Sequence, residues 1–418
     1  MFNQKRILSD FDTPAVRFCT KNLWAYSADF ILYLLYKQET LHTMLKSTLF
    51  SLFFMASLLL QAQTYYVFVG AYVPKAPDQG INVYVLDTLS GELKHKSLCP
   101  ELVNPTYLNL SPNGQFLYAC TEARTPKDGN VSSFAFDSLG GKLTFLNKQK
   151  SGGENPVYVN VHRSGKWVVN TNYTDASVTA YSVNADGSLN PAAQLFEYKE
   201  GSNVVKDRQA AAHTHSCVFS PKYDQLIVPD LGADKIRMYH FDAQTTQPLS
   251  ELAGTASPAG KGPRHFSFHP NQKFAYCVEE LSGTVSAYRY KKGKLNSIQN
   301  IAAHPQELQS GFSGADIHTS PDGRFLYVSN RGNENNLVIY AIHRSKGTLT
   351  NVGYQSTLGN HPRNFTLDPT GKFLLVANML SNSIVVFKRD VQSGLLTKMS
   401  VTEGIPSPSC IKIRKYYN

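Results

Sequence analysis

Asp316-Ile317-His318-Thr319-Ser320-Pro321-Asp322-Gly323-Arg324-Phe325-Leu326-Tyr327-Val328-Ser329-Asn330 reads as a short strand, a Pro-x-Gly turn and an apolar strand ending in Asn. The same order returns in Asn364-Phe365-Thr366-Leu367-Asp368-Pro369-Thr370-Gly371-Lys372-Phe373-Leu374-Leu375-Val376-Ala377-Asn378. A third, β-branched strand follows each copy, Leu337-Val338-Ile339-Tyr340 and Ile384-Val385-Val386-Phe387. A fourth begins after a glycine turn, at Lys346-Gly347-Thr348-Leu349 and Ser393-Gly394-Leu395-Leu396. Alternation of period two and Gly, Pro, Asn and Asp punctuation favour strands over helices.

Working outward, the turn anchors are Pro112, Arg163 (where the proline is lost), Pro221, Pro270, Pro321 and Pro369, spaced by 48–58 residues. Four strands in about fifty residues make one blade of a β-propeller. Six blades are complete. A seventh is split. Tyr65-Tyr66-Val67-Phe68-Val69-Gly70, Ile81-Asn82-Val83-Tyr84-Val85-Leu86 and the segment from Leu93 to Leu98 supply its second, third and fourth strands. Its first strand is Ser407-Pro408-Ser409-Cys410-Ile411-Lys412-Ile413, at the other end of the chain. The expectation is an all-β, seven-bladed propeller whose first blade is closed by the C-terminal strand. Such closure removes the exposed edges that make sheets sticky. A pair of β-sandwiches is the alternative arrangement.

Composition agrees with a folded β protein. Apolar residues make up 42% of the 418, too many for a disordered chain, and charged residues only 17%, too few for a coiled coil. The net charge of +10 is spread along the chain without basic runs or aromatic–basic patches, so no nucleic-acid partner is expected. An anionic small molecule fits it better.

The first 63 residues stand apart from the repeat. Met44-Leu45-Lys46-Ser47-Thr48 precedes an apolar run from Leu49 to Leu60, then Gln61-Ala62-Gln63. A basic start, about a dozen apolar residues and a small residue at the end form a secretory signal rather than a membrane span. Residues 1–43 are then an over-extended reading frame, residues 44–63 the signal and residues 64–418 the propeller. The mature protein is expected to be periplasmic or secreted, without stable membrane insertion, and cytoplasmic if the signal is unused. Six cysteines at 19, 99, 120, 217, 277 and 410 show no metal-type or haem-type spacing. Neither a metal nor another cofactor is expected, and Cys120, Cys217 and Cys277 read as buried free thiols.

A repeat lets equivalent positions be compared around the ring. Six residues before each anchor stand Thr106, Val157, His215, Arg264, Ala315 and Arg363, with Ser409 in the closing strand. Nine residues after it stand Thr121, Asn172, Asp230, Glu279, Asn330 and Asn378, a nearly uniform set that suits a turn or cap. One residue later come Glu122, Tyr173, Leu231, Glu280, Arg331 and Met379, again unlike one another. The first and third positions lie at one face of the disc, so His215, Arg264, Arg363, Glu122, Glu280 and Arg331 should meet at one mouth of the channel. His213 is two residues from His215 and shares its face if the strand is regular. Arginines with a carboxylate and a histidine suit a small anionic ligand, gripped by guanidinium forks and open to proton exchange.

Gly262-Pro263-Arg264-His265-Phe266-Ser267-Phe268-His269-Pro270, followed by Tyr276-Cys277-Val278-Glu279-Glu280-Leu281, resembles the lactonase propeller family. That family contains cycloisomerase-type 6-phosphogluconolactonases and carboxymuconate cyclases. Ala315-Asp316-Ile317-His318, Ser329-Asn330-Arg331-Gly332, His361-Pro362-Arg363-Asn364-Phe365 and Asp230-Leu231-Gly232-Ala233-Asp234 resemble it too, so the likeness spans residues 65–415. The resemblance implies hydrolysis of a sugar lactone, and without metal-type spacing the reaction is expected to be metal-independent. Alternatives are closure of a muconate-like diacid to a lactone, or a non-catalytic binding propeller. It implies His215, Arg264, Glu280 and Arg331 as catalytic residues. His213, which could replace His215, joins Arg363, Glu122 and His265 as substrate contacts. The expected partner is a small lactone or anionic sugar acid.

Overall fold

The computed structural model describes residues 30–48, 63–127, 129–308 and 310–417. Residues 1–62 and 63–418 form two separate compact units. In the first, residues 30–48 are helical. The apolar run of the expected signal, 49–60, lies outside the described residues, as does Cys19. Among the described residues no helix is long and apolar enough to cross a membrane.

The second unit is seven four-stranded antiparallel sheets. Blade 1 runs β28 (Pro408–Tyr417), β1 (Gln63–Ala71), β2 (Gly80–Leu86), β3 (Leu93–Pro100) from the inner edge outward. β28 and β1 pair from Gln63–Tyr417 to Ala71–Pro408, so the last and first strands of this unit close the ring as the sequence predicts. Blades 2 to 7 are continuous in sequence, each running outward. Their inner strands are β4 (Tyr107–Leu110), β8 (Pro156–Val161), β12 (Val218–Phe219), β16 (Pro263–Phe268), β20 (Gly314–Thr319) and β24 (Pro362–Leu367). Around the axis β28 abuts β4, β4 abuts β8, and β16, β20, β24 and β28 abut in turn. The second strands include β5 (Phe116–Thr121), β9 (Trp167–Asn172), β13 (Gln225–Asp230), β17 (Phe274–Glu279), β21 (Phe325–Asn330) and β25 (Phe373–Asn378), and β9, β17, β21 and β25 are buried throughout.

The core lies between blades. One cluster joins Tyr276 and Val278 of β17 to Leu326 and Val328 of β21, and another joins Tyr327 of β21 to Leu374 and Val376 of β25. Fully burying such a side chain contributes about 1.5–3 kcal/mol. A tyrosine–glycine latch recurs between neighbours. Tyr118, Tyr276 and Tyr327 donate to the carbonyls of Gly187, Gly347 and Gly394 at 3.1, 3.0 and 2.7 Å. Those glycines have φ of +87°, +74° and +77°, and a Cβ there would fall 2.1–2.5 Å from the rings of Phe116, Phe274 and Phe325. Only glycine fits that approach.

The uniform Asn-like position ends the second strand and binds the chain arriving from the preceding blade. Asn172, Asn330 and Asn378 donate to the carbonyls of Ser151, Ala303 and Thr357 at 2.8, 2.6 and 2.9 Å. It thus fixes the blade-to-blade connection. The five described cysteines are all buried free thiols.

Candidate active site

Inner strands carry a bulge at the mouth. In β16 the register jumps between Pro263–Glu279 and His265–Val278, leaving Arg264 as the extra residue. The same jump leaves Val157 extra in β8 and Arg363 in β24. A bulge breaks strict alternation and re-aims a side chain, a common device beside functional sites. On the second strand, the residue past the end donates its N–H back to the chain entering the inner strand. Glu280, Arg331 and Tyr173 do so to the carbonyls of Gly262, Ser313 and Asn155 at 2.8, 3.0 and 2.9 Å. Repeated backbone geometry therefore presents non-repeated side chains.

These side chains meet around a cavity of about 180 Å³, lined by Tyr72, Arg124, Asn155, Val157, Tyr173, Arg208, His215, Glu280, Arg331 and Arg363. Arg264, His265 and Ser409 line a narrower space continuing into the channel. A larger groove, about 910 Å³, opens at the turn end of the inner strands around Pro112 and Arg163, and its lining carries no carboxylate. The charged cluster marks the smaller cavity as the candidate site.

Glu280 is its electrostatic centre. Its Oε1 meets Arg208 Nη2 at 2.7 Å, and its Oε2 meets Arg331 Nη2 at 3.0 Å and Arg264 Nε at 2.8 Å. The Arg264 N–H does not point at that oxygen, so this contact is an ion pair without a formed hydrogen bond. Arg264 also donates to the carbonyl of Ala315, and Arg331 to that of Gly314 at 3.0 Å. Burial works to raise the Glu280 carboxyl, but Arg331, Arg264 and Arg208 outweigh it and hold the group well below the usual carboxylate range. Burial, with Arg331 nearby, lowers Arg264 to about 9, so it stays cationic at neutral pH. His215 is buried and its Nδ1 has no partner. Burial first, then Arg264 and His265, push it well below the ordinary histidine value, which leaves a neutral imidazole beside guanidinium groups.

The sequence-derived set is thus brought together in large part. His215, Arg264, Glu280, Arg331 and Arg363 line the two connected spaces. Arg363 donates to Tyr72 Oη at 3.0 Å. His265 lies deeper, its Nδ1 2.7 Å from Asp316 Oδ1, while Asp316 also meets His318 Nε2 at 3.0 Å. Burial and Arg264 lower His265 to about 4, against the pull of Asp316.

Two expectations are corrected. Glu122 does not face the cavity. It adopts φ of +55°, and its carboxylate pairs with Lys148 at 2.6 Å and with Asn130. Arg124, two residues on, faces the cavity instead. His213 does not share the cavity face of His215. Its ring stacks on Tyr173 at 4.4 Å and its Nδ1 lies 2.8 Å from the Tyr173 carbonyl oxygen. Alternation needs a regular strand, and here the chain pairs only through the isolated bridge Thr214–Asp230.

Tyr72, Arg124, Tyr173 and Arg208 complete the lining. Of these, Arg208 had a visible signal. It lies on a helical turn, Lys206–Gln209, in the connection behind the widest anchor spacing, Arg163 to Pro221. Among the described residues no group of three or more His, Cys, Asp and Glu side chains could hold a metal ion.

The sequence matches the family described as "Lactonase, 7-bladed beta-propeller" over residues 66–413. A 6-phosphogluconolactonase of Formosa agariphila is 42% identical over 353 residues, covering 84% of this chain and 99% of that protein. One of Bacillus subtilis is 35% identical over 351 residues, covering 83% and 98%. The solved periplasmic gluconolactonase of Pseudomonas aeruginosa superposes with a TM-score of 0.79 at 34% identity, covering 84% of this chain and 99% of that one. With its ring closure and its Arg–Glu–His mouth, the chain belongs to the lactonase family of seven-bladed β-propellers.

Proposed function

We propose that the chain hydrolyses a sugar lactone in the cavity around Glu280. The observation that carries this reading is a buried, neutral His215 set among arginines that share a single carboxylate. A neutral imidazole accepts a proton, and fixed cations stabilise an oxyanion. Water attacks the lactone carbonyl as His215 takes its proton. Arg264 and Arg331 stabilise the negative oxygen. The ring C–O bond then breaks, and the proton passes from His215 to the departing alkoxide, giving the open hydroxy acid. Glu280 holds the arginines in place and keeps their charges together. The names of the relatives support the reaction class, as 6-phosphogluconolactonases and as a gluconolactonase.

The segment Met44–Gln63 supports export of the mature chain to the periplasm or beyond, and the similar Pseudomonas protein is named as periplasmic. The test is a lactone panel on residues 64–418, followed by pH, with Arg264→Ala and Glu280→Ala as controls. Turnover above the spontaneous rate that both variants abolish is expected. Equal rates in the two variants and the parent would end the assignment.

A further inference from the structure

Resting on the lactone-hydrolase reading, we propose that His265, Asp316 and His318 form a proton exit, which carries the acid proton of each product down the channel to the turn end of the ring. Offsets from the turn anchors place the three residues in depth. His215, Arg264 and Arg363 stand six residues before their anchors, at the mouth. His265 and Asp316 stand five before theirs, on the neighbouring inner strands β16 and β20. His318 stands three before its anchor, level with Asn109 and Asn160, which line a cleft at the turn end with Lys412.

Hydrogen bonds join these lower levels. His265 Nδ1 lies 2.7 Å from Asp316 Oδ1, and His318 Nε2 lies 3.0 Å from Asp316 Oδ2. The N–H groups of Ile317 and Phe365 and the Asn364 amide also donate to that carboxylate. His265 and Asp316 are buried, whereas the His318 side chain is 30% exposed. At the upper end His265 lines the narrow space beneath the mouth together with His215, their ring centroids 5.2 Å apart. With Nδ1 committed to Asp316, Nε2 is the nitrogen left for that space. Tyr107 and Tyr158 stand edge-on to His265, and burial keeps both phenols protonated, so neither competes for the proton.

Hydrolysis creates the need for such a path. The open acid ionises at neutral pH, so each turnover sheds one proton. Bound product fills the mouth, where Arg124, Arg208, Arg264, Arg331 and Arg363 outnumber the one lining carboxylate, Glu280. That field opposes a proton leaving by the mouth and a lasting charge on His215. One level deeper, the Asp316 carboxylate reverses the sign. The proton passes from His215 to His265 Nε2, and His265 gives its Nδ1 proton to Asp316. Asp316 delivers a proton to His318, and His318 releases one to water. One proton enters, one leaves, the carboxylate is restored and no electron moves.

His318→Gln tests the path, because an amide keeps a donor toward Asp316 but cannot pass a proton on. His318→Ala, which leaves Asp316 its other donors, serves as the second variant. Hydrolysis of glucono-δ-lactone, or of 6-phosphogluconolactone if the parent prefers it, is followed in weak and in concentrated imidazole buffer. Melting temperatures are measured alongside. In weak buffer kcat is expected to fall at least about tenfold while kcat/KM holds, because proton release follows ring opening, and imidazole should restore kcat. Equal kcat in the parent and the folded variants in both buffers overturns the exit even if lactonase activity stands. A joint loss of kcat and kcat/KM that imidazole leaves unrepaired also overturns it, since a structural role has that signature. If the parent hydrolyses neither lactone, the proposed reaction fails and the path is judged by NMR, from exchange of the His265 Nδ1 proton with solvent. Exchange slowed at least about tenfold in His318→Gln supports the path, and equal exchange overturns it.

Discussion

Glu280→Gln removes the one carboxylate that three arginines share. The side chain of Glu280 is 7% exposed, and those of Arg264 and Arg331 are 1% and 7% exposed. Arg208, at 40%, can swing into water. The substitution therefore strands two buried guanidinium groups, and breaking a buried ion pair from one side costs about 3–5 kcal/mol. Unfolding entropy near Tm is about 2.1 cal/mol/K per residue, or roughly 0.75 kcal/mol/K for a ring of about 350 residues. The expected fall in Tm is thus about 4–7 °C. Arg208→Ala gives the contrast. It removes a half-exposed partner worth about 0.2–1 kcal/mol, so Tm should move by about 1 °C. The assay is calorimetry at pH 7 and low salt, with lactone hydrolysis measured in parallel. Loss of the positioned arginines should lower kcat/KM by about 10²-fold or more. A Glu280→Gln protein that melts within about 1 °C of the parent and retains full hydrolysis refutes the view of Glu280 as the hub.

Three further outcomes are expected. Because burial, Arg264 and His265 lower His215, kcat/KM should stay level from about pH 8 to about pH 6.5 and fall only on the acid side. An acid limb centred at or above the ordinary histidine value would remove His215 as the base. Asp316→Asn should cost about 2–3 kcal/mol in urea unfolding, because the buried carboxylate accepts from His265, His318 and Asn364, and an amide puts a donor against them. Burial raises the half-buried Glu334 to about 7, so its contribution to stability is full below the ordinary glutamate value and is lost as pH rises through about 7. Glu334→Gln should therefore raise Tm near pH 8 and leave it unchanged near pH 4, and the reverse order would contradict that sign.

The ring was legible because each blade spells the same strand–turn–strand order, and the anchors from Pro112 to Pro369 keep that register. Aligned copies then exposed Arg264, Arg363, Glu280 and Arg331, whose backbone settings repeat while their side chains do not. Residues outside the repeat could not be compared position by position. Arg208 belongs to a connection with no counterpart in other blades, and Tyr72 and Arg124 lie in loops after β1 and β5. Glu122 misled because comparison of positions assumes equal backbone angles, and its left-handed φ turns the side chain toward Lys148. His213 misled in a similar way, since period-two logic fails where pairing is broken.

Pairing between β1 and β28 makes ring closure wait until residues 408–417 have been made. Six sheets can form in order behind the ribosome, each from contiguous chain. The sheet holding residues 63–100 lacks its inner partner until residues 408–417 emerge. A chain that stopped before residue 408 would leave the circle open, with the seam ending next to Arg363 and Tyr72. Closure of the ring and assembly of the mouth are therefore joined in one hydrogen-bonded strand pair.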